Sequence, residues 1–238
     1  MGVVLVFLAV LAAFAGWWLS RQRLTAKPWL EVGVIGEAPE PSSPTTAKLG
    51  LGTFLVVAGS LFALLVSAYA MRMGMPDWRA LPMPAVLWFS TGLLMLASLA
   101  LHMAVIAARC DELGHLRSSL LAAGMCSLAF LTAQMLAWRE LAAAGYFAAA
   151  NPASAFFYLV TAIHGAHMLG GLVALCRIST RAFAAPRDIA ATAMGELTVG
   201  VELCAIYWHF LLLVWLVLFS LLMRWTDDLV AICRGLLS

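Results

Sequence analysis

The sequence has little charge: Asp, Glu, Lys and Arg make up 11% of its 238 residues, whereas soluble domains carry about 25%. Hydrophobic residues make up 64%, and a soluble domain of this size cannot bury so large an apolar fraction. The shortage of charge therefore excludes a water-soluble enzyme, a disordered chain and a small secreted domain held by disulfides.

Paired cysteines are also missing. The chain contains no C-x-x-C pair, no C-x-x-C-H haem-attachment motif and no zinc-ligand spacing. We therefore expect each of the five cysteines to be a small packing residue, with no covalent haem or iron–sulfur cluster on this chain. The net charge of +2 and the lack of a basic run likewise predict that nucleic acid is not a partner.

Long apolar runs are what the sequence does contain. Each of six runs has about the twenty residues that a helix needs to cross the roughly 30 Å hydrocarbon core of a bilayer. These runs are residues 2–20, 49–70, 85–107, 118–138, 154–176 and 197–223. The predicted fold class is all-α, a polytopic transmembrane helix bundle with six spans.

The polar segments divide the chain into four parts. Basic residues follow the first apolar run, at 21–27, rather than preceding it as in a signal peptide, so we interpret 1–20 as an N-terminal transmembrane anchor. The proline-containing stretch 21–48 is predicted to be a cytoplasmic linker, 49–225 the five-helix core and 226–238 a short tail. Nine of the fourteen Lys and Arg residues then lie on the linker's side, which predicts both termini outside the cytoplasm.

The candidate site residues are polar side chains that hydrocarbon should exclude. His164 and His167 are three residues apart on one face of the fifth span, and Glu202 and His209 are seven apart on the sixth. Because these spans are antiparallel, we expect the three imidazoles at a shared depth, with Glu202 about 12 Å nearer the cytoplasm.

Other residues of the spans predict helix contacts. Gln134 in the fourth span and Trp208 in the sixth are expected to pack inside the bundle, and the hydroxyl of Tyr207 needs a partner there. The small residues Gly165 and Gly170 predict the close approach of a neighbouring helix.

The histidine and glutamate group has two interpretations. As a metal site, His164, His167, His209 and Glu202 offer ligand types that suit zinc, iron or copper. As a structural group, they form hydrogen bonds to one another, to backbone carbonyls or to lipid headgroups. We favour the structural interpretation, because the axial offset of Glu202 strains a single coordination sphere and no second carboxylate lies nearby.

Four segments carry a family resemblance. Residues 83–98, 130–134, 161–167 and 207–210 read MPAVLWFSTGLLMLAS, FLTAQ, TAIHGAH and YWHF. In this order they resemble the P-x-x-L-W-x-N-T-x-x-L-L-x-S-S, F-L-x-x-Q, T-G-x-H-G-x-H and Y-W-H-F motifs of subunit III of the haem–copper respiratory oxidases. Glu202 also stands at the family's spacing.

The resemblance implies a non-catalytic subunit of a proton-pumping terminal cytochrome c oxidase in a bacterial inner membrane. Such a subunit packs against subunit I, belongs to a complex that includes subunit II and other oxidase subunits, and binds phospholipids. It supports proton uptake, while haem and copper reside on the partner subunits. Spans two to six would match the five-helix form of the family, and the candidate residues would serve helix or lipid contacts rather than catalysis.

The sequence departs from the family at several polar positions. Ala58, Ala137 and Leu212 stand where many members carry acids, and Ser90 replaces the asparagine of the first motif. These replacements argue against a proton relay through this chain. Alternatives are subunit III of a quinol oxidase, an accessory protein of nitric oxide reductase, or a stand-alone intramembrane metalloenzyme; a transporter is disfavoured because internal repeats are missing.

Overall fold

The computed structural model describes residues 44–79, 81–186 and 191–223. Five helices occupy most of these residues: α1 (Pro44–Arg72), α2 (Val86–Arg109), α3 (Leu113–Ala143), α4 (Pro152–Ala184) and α5 (Ala191–Leu222). Each contains a stretch that is long and apolar enough to cross a membrane. The prediction of an all-helical membrane bundle is confirmed.

The number and lengths of the helices differ from the sequence-based prediction. We predicted six spans and the structure describes five, because the first predicted span, 2–20, lies outside the described residues, as does the predicted tail 226–238. Helix α1 begins at Pro44, so the last residues assigned to the linker are helical. Helices α3 and α4 extend beyond their apolar runs at both ends. The thickness of the bilayer's hydrocarbon core sets the length of the apolar run, whereas the helix itself can continue past that core.

The described helices fall into two compact units. Residues 44–67 of α1 belong to the first unit. In that unit the hydroxyls of Thr53 and Ser60 donate hydrogen bonds to carbonyls of their own helix, Leu49 and Val57. Backbone carbonyls three or four residues earlier thus satisfy these hydroxyls within an apolar helix.

The second unit contains α2 to α5, arranged so that each helix packs on two others. Helix α3 lies between α2 and α4, and α5 also contacts both α2 and α4. Helices α2 and α5 are antiparallel, since Arg109 at the end of α2 meets Glu202 near the start of α5, and Trp88 at the other end meets Phe219. The result is a closed four-helix bundle of antiparallel neighbours.

Aromatic rings fill the centre of this bundle. Trp208, Trp215, Phe130 and Phe157 are fully buried. The Phe130 and Trp215 rings meet edge to face, with centroids 5.1 Å apart and planes at 90°. Edge-to-face pairs of this kind add about 0.5–1.5 kcal/mol to the stability that apolar burial supplies.

Side chains fix both ends of α4. At its start, the Asn151 side chain accepts a hydrogen bond from the Ala153 amide at 3.2 Å, and its Nδ2 donates to the Arg79 carbonyl at 2.6 Å. At its end, the Arg117 guanidinium donates to the carbonyls of Ala182 and Ala185 at 3.0 and 2.6 Å. These contacts satisfy backbone groups that a helix end would otherwise leave without partners.

Candidate functional site

Trp208 makes the first of several cross-helix hydrogen bonds in the bundle. Its indole Nε1 donates to the Ser127 hydroxyl on α3 at 2.9 Å. The Ser127 hydroxyl in turn donates to the Ala123 carbonyl at 2.7 Å. Because a hydroxyl can donate once and accept twice, Ser127 satisfies its own helix and the buried indole at once. The predicted packing of Trp208 inside the bundle agrees with its complete burial.

Two more tryptophans repeat this arrangement on other helix pairs. Trp215 of α5 donates to the Thr91 hydroxyl of α2 at 2.9 Å. Trp138 of α3 donates to the Thr161 hydroxyl of α4 at 3.0 Å. Both threonine hydroxyls donate to carbonyls four residues earlier in their own helices. Two of the four contacts between neighbouring helices therefore contain an indole–hydroxyl hydrogen bond, and the Trp208–Ser127 bond crosses the bundle from α5 to α3.

Gln134 joins α3 to α2 through a serine. Its Nε2 donates to the Ser90 hydroxyl at 3.0 Å, and Ser90 donates to the Leu87 carbonyl at 2.9 Å. The Gln134 side chain is 3% exposed, and its Oε1 has no hydrogen-bond partner among the described residues. Ser90, which stands at the asparagine position of the family motif, thus supplies the polar contact at this level.

His164 lies at the centre of the aromatic core. It is fully buried, and its Nε2 lies 3.2 Å from the Leu211 carbonyl of α5. A carbonyl can only accept, so this contact requires the tautomer in which Nε2 carries the proton. The imidazole also contacts the Trp215 and Phe130 rings, at centroid distances of 5.1 and 5.6 Å. His164 therefore links α4 to α5 and packs against α3.

His167 contributes to the same helix pair in a different way. Its Nδ1 lies 2.8 Å from the carbonyl of Ile163 in its own helix. The backbone carbonyl of His167 accepts a hydrogen bond from the Tyr207 hydroxyl at 2.7 Å. The predicted need of Tyr207 for a partner is thus confirmed, and the cross-helix contact at His167 uses the backbone rather than the imidazole.

Close approach of α4 and α5 depends on Gly171 rather than on the glycines that the sequence singled out. A Cβ at Gly171 would lie 2.5 Å from Cε1 of Tyr207 and 3.0 Å from the Trp208 ring. A Cβ at Gly165 would lie 3.7 Å from Leu131, and one at Gly170 would meet nothing within 4 Å. The small-residue pattern predicted the correct helix, but it could not identify which side faces α5.

Glu202 pairs with an arginine that the sequence analysis did not select. Its Oε1 accepts from Nε and Nη2 of Arg109 on α2, at 3.1 and 2.7 Å. The Glu202 side chain is 19% exposed and that of Arg109 is 63% exposed. Arg109 ends the apolar run of α2, and Glu202 is an acid within the apolar run of α5. Opposite charges at such positions predict an ion pair between the two helices.

His209 lies apart from the other two histidines. Its side chain is exposed, its Nδ1 contacts the Ala205 carbonyl of its own helix, and its ring lies 6.2 Å from that of His102 on α2. His164, by contrast, is enclosed by Phe130 and Trp215. His209 therefore lies in surroundings different from those of His164, because sequence spacing gives the depth of His209 but not the side of α5 on which it lies.

Metal coordination finds no support in the part of the chain that the structure describes. No group of three or more His, Cys, Asp or Glu side chains lies close enough there to hold an ion. The interior polar groups instead face hydroxyls, carbonyls and rings of neighbouring helices. Fold and contacts together define a polytopic membrane protein whose buried polar side chains join its helices.

Comparisons with known proteins identify the family. The model of the family described as cytochrome c oxidase subunit III matches residues 48–227. Cytochrome c oxidase subunit 3 of Thermostichus vulcanus is 27% identical over 183 residues, covering 75% of this chain and 87% of the relative. The chain belongs to the cytochrome c oxidase subunit III family.

Two further relatives agree. A probable cytochrome c oxidase subunit 3 of Mycobacterium tuberculosis is 28% identical over 179 residues, or 72% of this chain and 82% of the relative. Cytochrome c oxidase subunit 3 of a Synechocystis species is 28% identical over 183 residues, or 75% of each chain. The family match includes all four motifs on which the resemblance was based.

Proposed function

We propose that this chain is the non-catalytic subunit III of a proton-pumping terminal cytochrome c oxidase in a bacterial plasma membrane. In this proposal it stabilises subunit I within the complex. The haem and copper centres that reduce O2 to water are on the partner subunits. Both termini lie outside the cytoplasm, as the distribution of Lys and Arg suggests.

The observation that carries this proposal is the use of the buried polar groups as helix contacts. Trp208, Trp215 and Gln134 each donate to a hydroxyl on another helix, and His164 contacts a carbonyl of α5. Here they are used to fix one helix against the next, which is what a scaffold requires.

The same contacts support the structural roles that we assign to the six candidate residues. His164, Trp208 and Gln134 hold the interior of the bundle. His167 and Glu202 fix the contacts of α5 with α4 and α2. His209 differs because it is exposed, and we assign it to contacts outside this chain.

Lipid binding and support of proton uptake form the second part of the proposal. Large apolar side chains are exposed on all five helices, and they suit contact with phospholipid chains. The positions of Ala58, Ala137 and Leu212 are apolar, so the chain supports proton uptake by shaping the complex and its lipids rather than by carrying protons through its own acids.

The test is purification of the tagged full-length chain from native membranes in a mild detergent. We expect other oxidase subunits to co-purify with it. We also expect the reduced-minus-oxidised absorbance spectrum of the preparation to show haem. An unrelated tagged membrane protein from the same cells is the control. Recovery of the chain alone, without haem, would contradict the proposal. Oxidation of reduced cytochrome c rather than quinol by the preparation distinguishes the two electron donors.

A further inference from the structure

One side of α1 is buried, although the helix carries apolar residues on every side. The exposed sides include Phe54, Val57, Leu61 and Leu64, which are 40–69% exposed. The buried residues of the same turns are Gly52, Leu55, Ala58, Gly59, Phe62 and Ala63. We call this buried set the α1 small face, because most of its members are glycine or alanine.

The spacing of the α1 small face is that of a helix–helix contact. Its residues Gly52, Leu55, Gly59 and Phe62 follow one another in steps of three and four, which places them along one seam of the helix. Small residues on such a seam allow another helix to approach closely within a membrane. The Phe62 side chain is fully buried, so the segment that covers the seam is in direct contact with it.

The segment that covers the α1 small face belongs to this chain. The burial arises within a single copy of the chain, so neither a second copy nor another subunit is required to account for it. The compact unit that contains residues 44–67 begins at Met1, which leaves residues 1–43 as the rest of that unit. Their long apolar run is 2–20, and it has the length that a membrane-spanning helix needs.

The apolar run 2–20 has side chains that complement the α1 small face. Large residues recur in it every three or four positions, at Val4, Phe7, Leu11, Phe14 and Trp18. On a helix these side chains would form one row, which we call the large-residue row, with Ala9, Ala13 and Gly16 on the opposite side. Large side chains that insert between small residues give close packing. The large-residue row therefore fits the α1 small face.

The linker allows the two segments to lie side by side, and it sets their register. Residues 21–43 separate the run from α1, and a flexible chain of that length spans about 25 Å on average, whereas packed helices lie about 8–10 Å apart. Because the linker joins the two spans on one side of the membrane, the spans are antiparallel and Ser20 starts level with Leu49. Counted from these ends at about 1.5 Å per residue, the level pairs are Phe7 with Phe62, Leu11 with Ala58 and Phe14 with Leu55.

We propose that residues 2–20 form a transmembrane helix that packs antiparallel on the α1 small face, with the large-residue row inserted between its glycines and alanines. The run is then an integral member of the subunit's helix assembly and not a separate anchor. The α1 small face is closed to lipid and to other subunits, and the side of α1 that carries Val57 and Leu64 is left for such contacts. This inference goes beyond the proposed function and does not depend on it.

Disulfide cross-linking after cleavage of the linker tests the contact. A protease site is placed in the linker of the full-length chain, which carries one pair of engineered cysteines and is oxidised with copper–phenanthroline in its native membranes. The native cysteines all lie at or after Cys110, so the N-terminal fragment contains only the engineered thiol. The level pair is Leu11→Cys with Ala58→Cys. Two control pairs test the two faces: Leu11→Cys with Val57→Cys, and Ala13→Cys with Ala58→Cys.

We expect the level pair to keep the two fragments covalently joined without reductant, at a yield at least tenfold above either control. Equal yields from all three pairs, or no cross-link from any of them, would overturn the inference. The highest yield from Ala13→Cys with Ala58→Cys would show that the run packs through its opposite side. A product of twice the chain mass before cleavage would assign the α1 small face to a second copy. Either of these last two results contradicts the proposal as well.

A second variant tests the fit without cysteines. Gly59→Leu fills the space beside Leu55 and Phe62, and we expect the fraction of the N-terminal fragment that co-purifies with the tagged C-terminal fragment after linker cleavage to fall at least threefold. Ser60→Leu, at the next and exposed position, is the matched control and should leave this fraction unchanged. Equal retention in the two variants, or release of the fragment from the otherwise wild-type chain in mild detergent, would contradict the inference.

Discussion

The indole Nε1 of Trp208 donates a 2.9 Å hydrogen bond to the Ser127 hydroxyl across the contact between α5 and α3, and both side chains are fully buried. Trp215 with Thr91, and Trp138 with Thr161, repeat the relationship at other helix contacts. Apolar surface contributes little specificity between helices in a membrane, where lipid tails are equally apolar. Directional bonds of this kind therefore define which faces of the helices meet.

Ser127→Ala tests the Trp208 contact directly. The substitution leaves the buried indole N–H without its acceptor, and we expect a loss of about 1–3 kcal/mol in the free energy of unfolding. The purified complex is heated, and the temperature at which this subunit dissociates is compared between the variant and the wild type to measure the loss. Ser118→Ala on the same helix is the control, because the exposed Ser118 hydroxyl bonds only to the His115 carbonyl. Equal stability of the two variants would contradict the assignment.

Gly171→Ala should separate α4 from α5. The added methyl group would lie 2.5 Å from the ring of Tyr207, and that ring is held by its bond to the His167 carbonyl. We expect destabilisation of about 1–3 kcal/mol from overpacking. Gly170→Ala is the control, since its Cβ meets nothing within 4 Å. Its helix should become slightly more stable, by up to about 1 kcal/mol.

Circular dichroism during heating distinguishes the two glycine variants. A lower midpoint for Gly171→Ala with an unchanged or higher midpoint for Gly170→Ala is the expected pattern. The opposite order would mean that α4 presents a different side to α5.

Ser90→Ala and Gln134→Leu should be strongly coupled. Ser90→Ala removes the acceptor of the Gln134 amide in a buried site, and we expect a cost of about 1–3 kcal/mol. Adding Gln134→Leu to this variant removes the buried amide, including an Oε1 without a partner in the described structure, and should recover part of the loss. A double-mutant cycle in chemical unfolding measures the coupling. Additive losses would show that the two side chains act independently.

Glu202→Gln should weaken the contact between α2 and α5 without affecting redox centres. The pair with Arg109 is partly exposed, so the expected loss is at most about 1 kcal/mol and should shrink in high salt. The haem content of the purified complex should equal that of the wild type, while the subunit dissociates at lower detergent concentration. Asp77→Asn, which breaks the exposed Arg72–Asp77 pair, is the matched control. Loss of haem in Glu202→Gln would contradict the structural role.

The sequence predicted the helices well because a run of apolar residues long enough to cross a bilayer has few alternatives to a helix. It predicted their ends less well. The segment before Leu49 was assigned to the linker from its prolines, yet α1 begins at Pro44, since proline is compatible with the first turn of a helix.

The candidate residues were found because a polar residue in hydrocarbon is conspicuous. Their partners were missed because Ser127, Thr91 and Ser90 are ordinary helix residues whose role depends on which tryptophan or amide faces them. Arg109 was interpreted only as a charge that orients the chain. His209 was grouped with His164 by depth, although the two lie in different surroundings, because the rotation of α5 depends on packing with other helices.

The location of the redox centres is the most direct test of the account. The purified complex is treated with increasing detergent until this subunit separates, and haem absorbance and copper are then measured in both fractions. We expect all haem and copper to remain with the other subunits and this chain to carry no stoichiometric transition metal. Haem, copper, iron or zinc recovered in stoichiometric amount with the separated chain would contradict it.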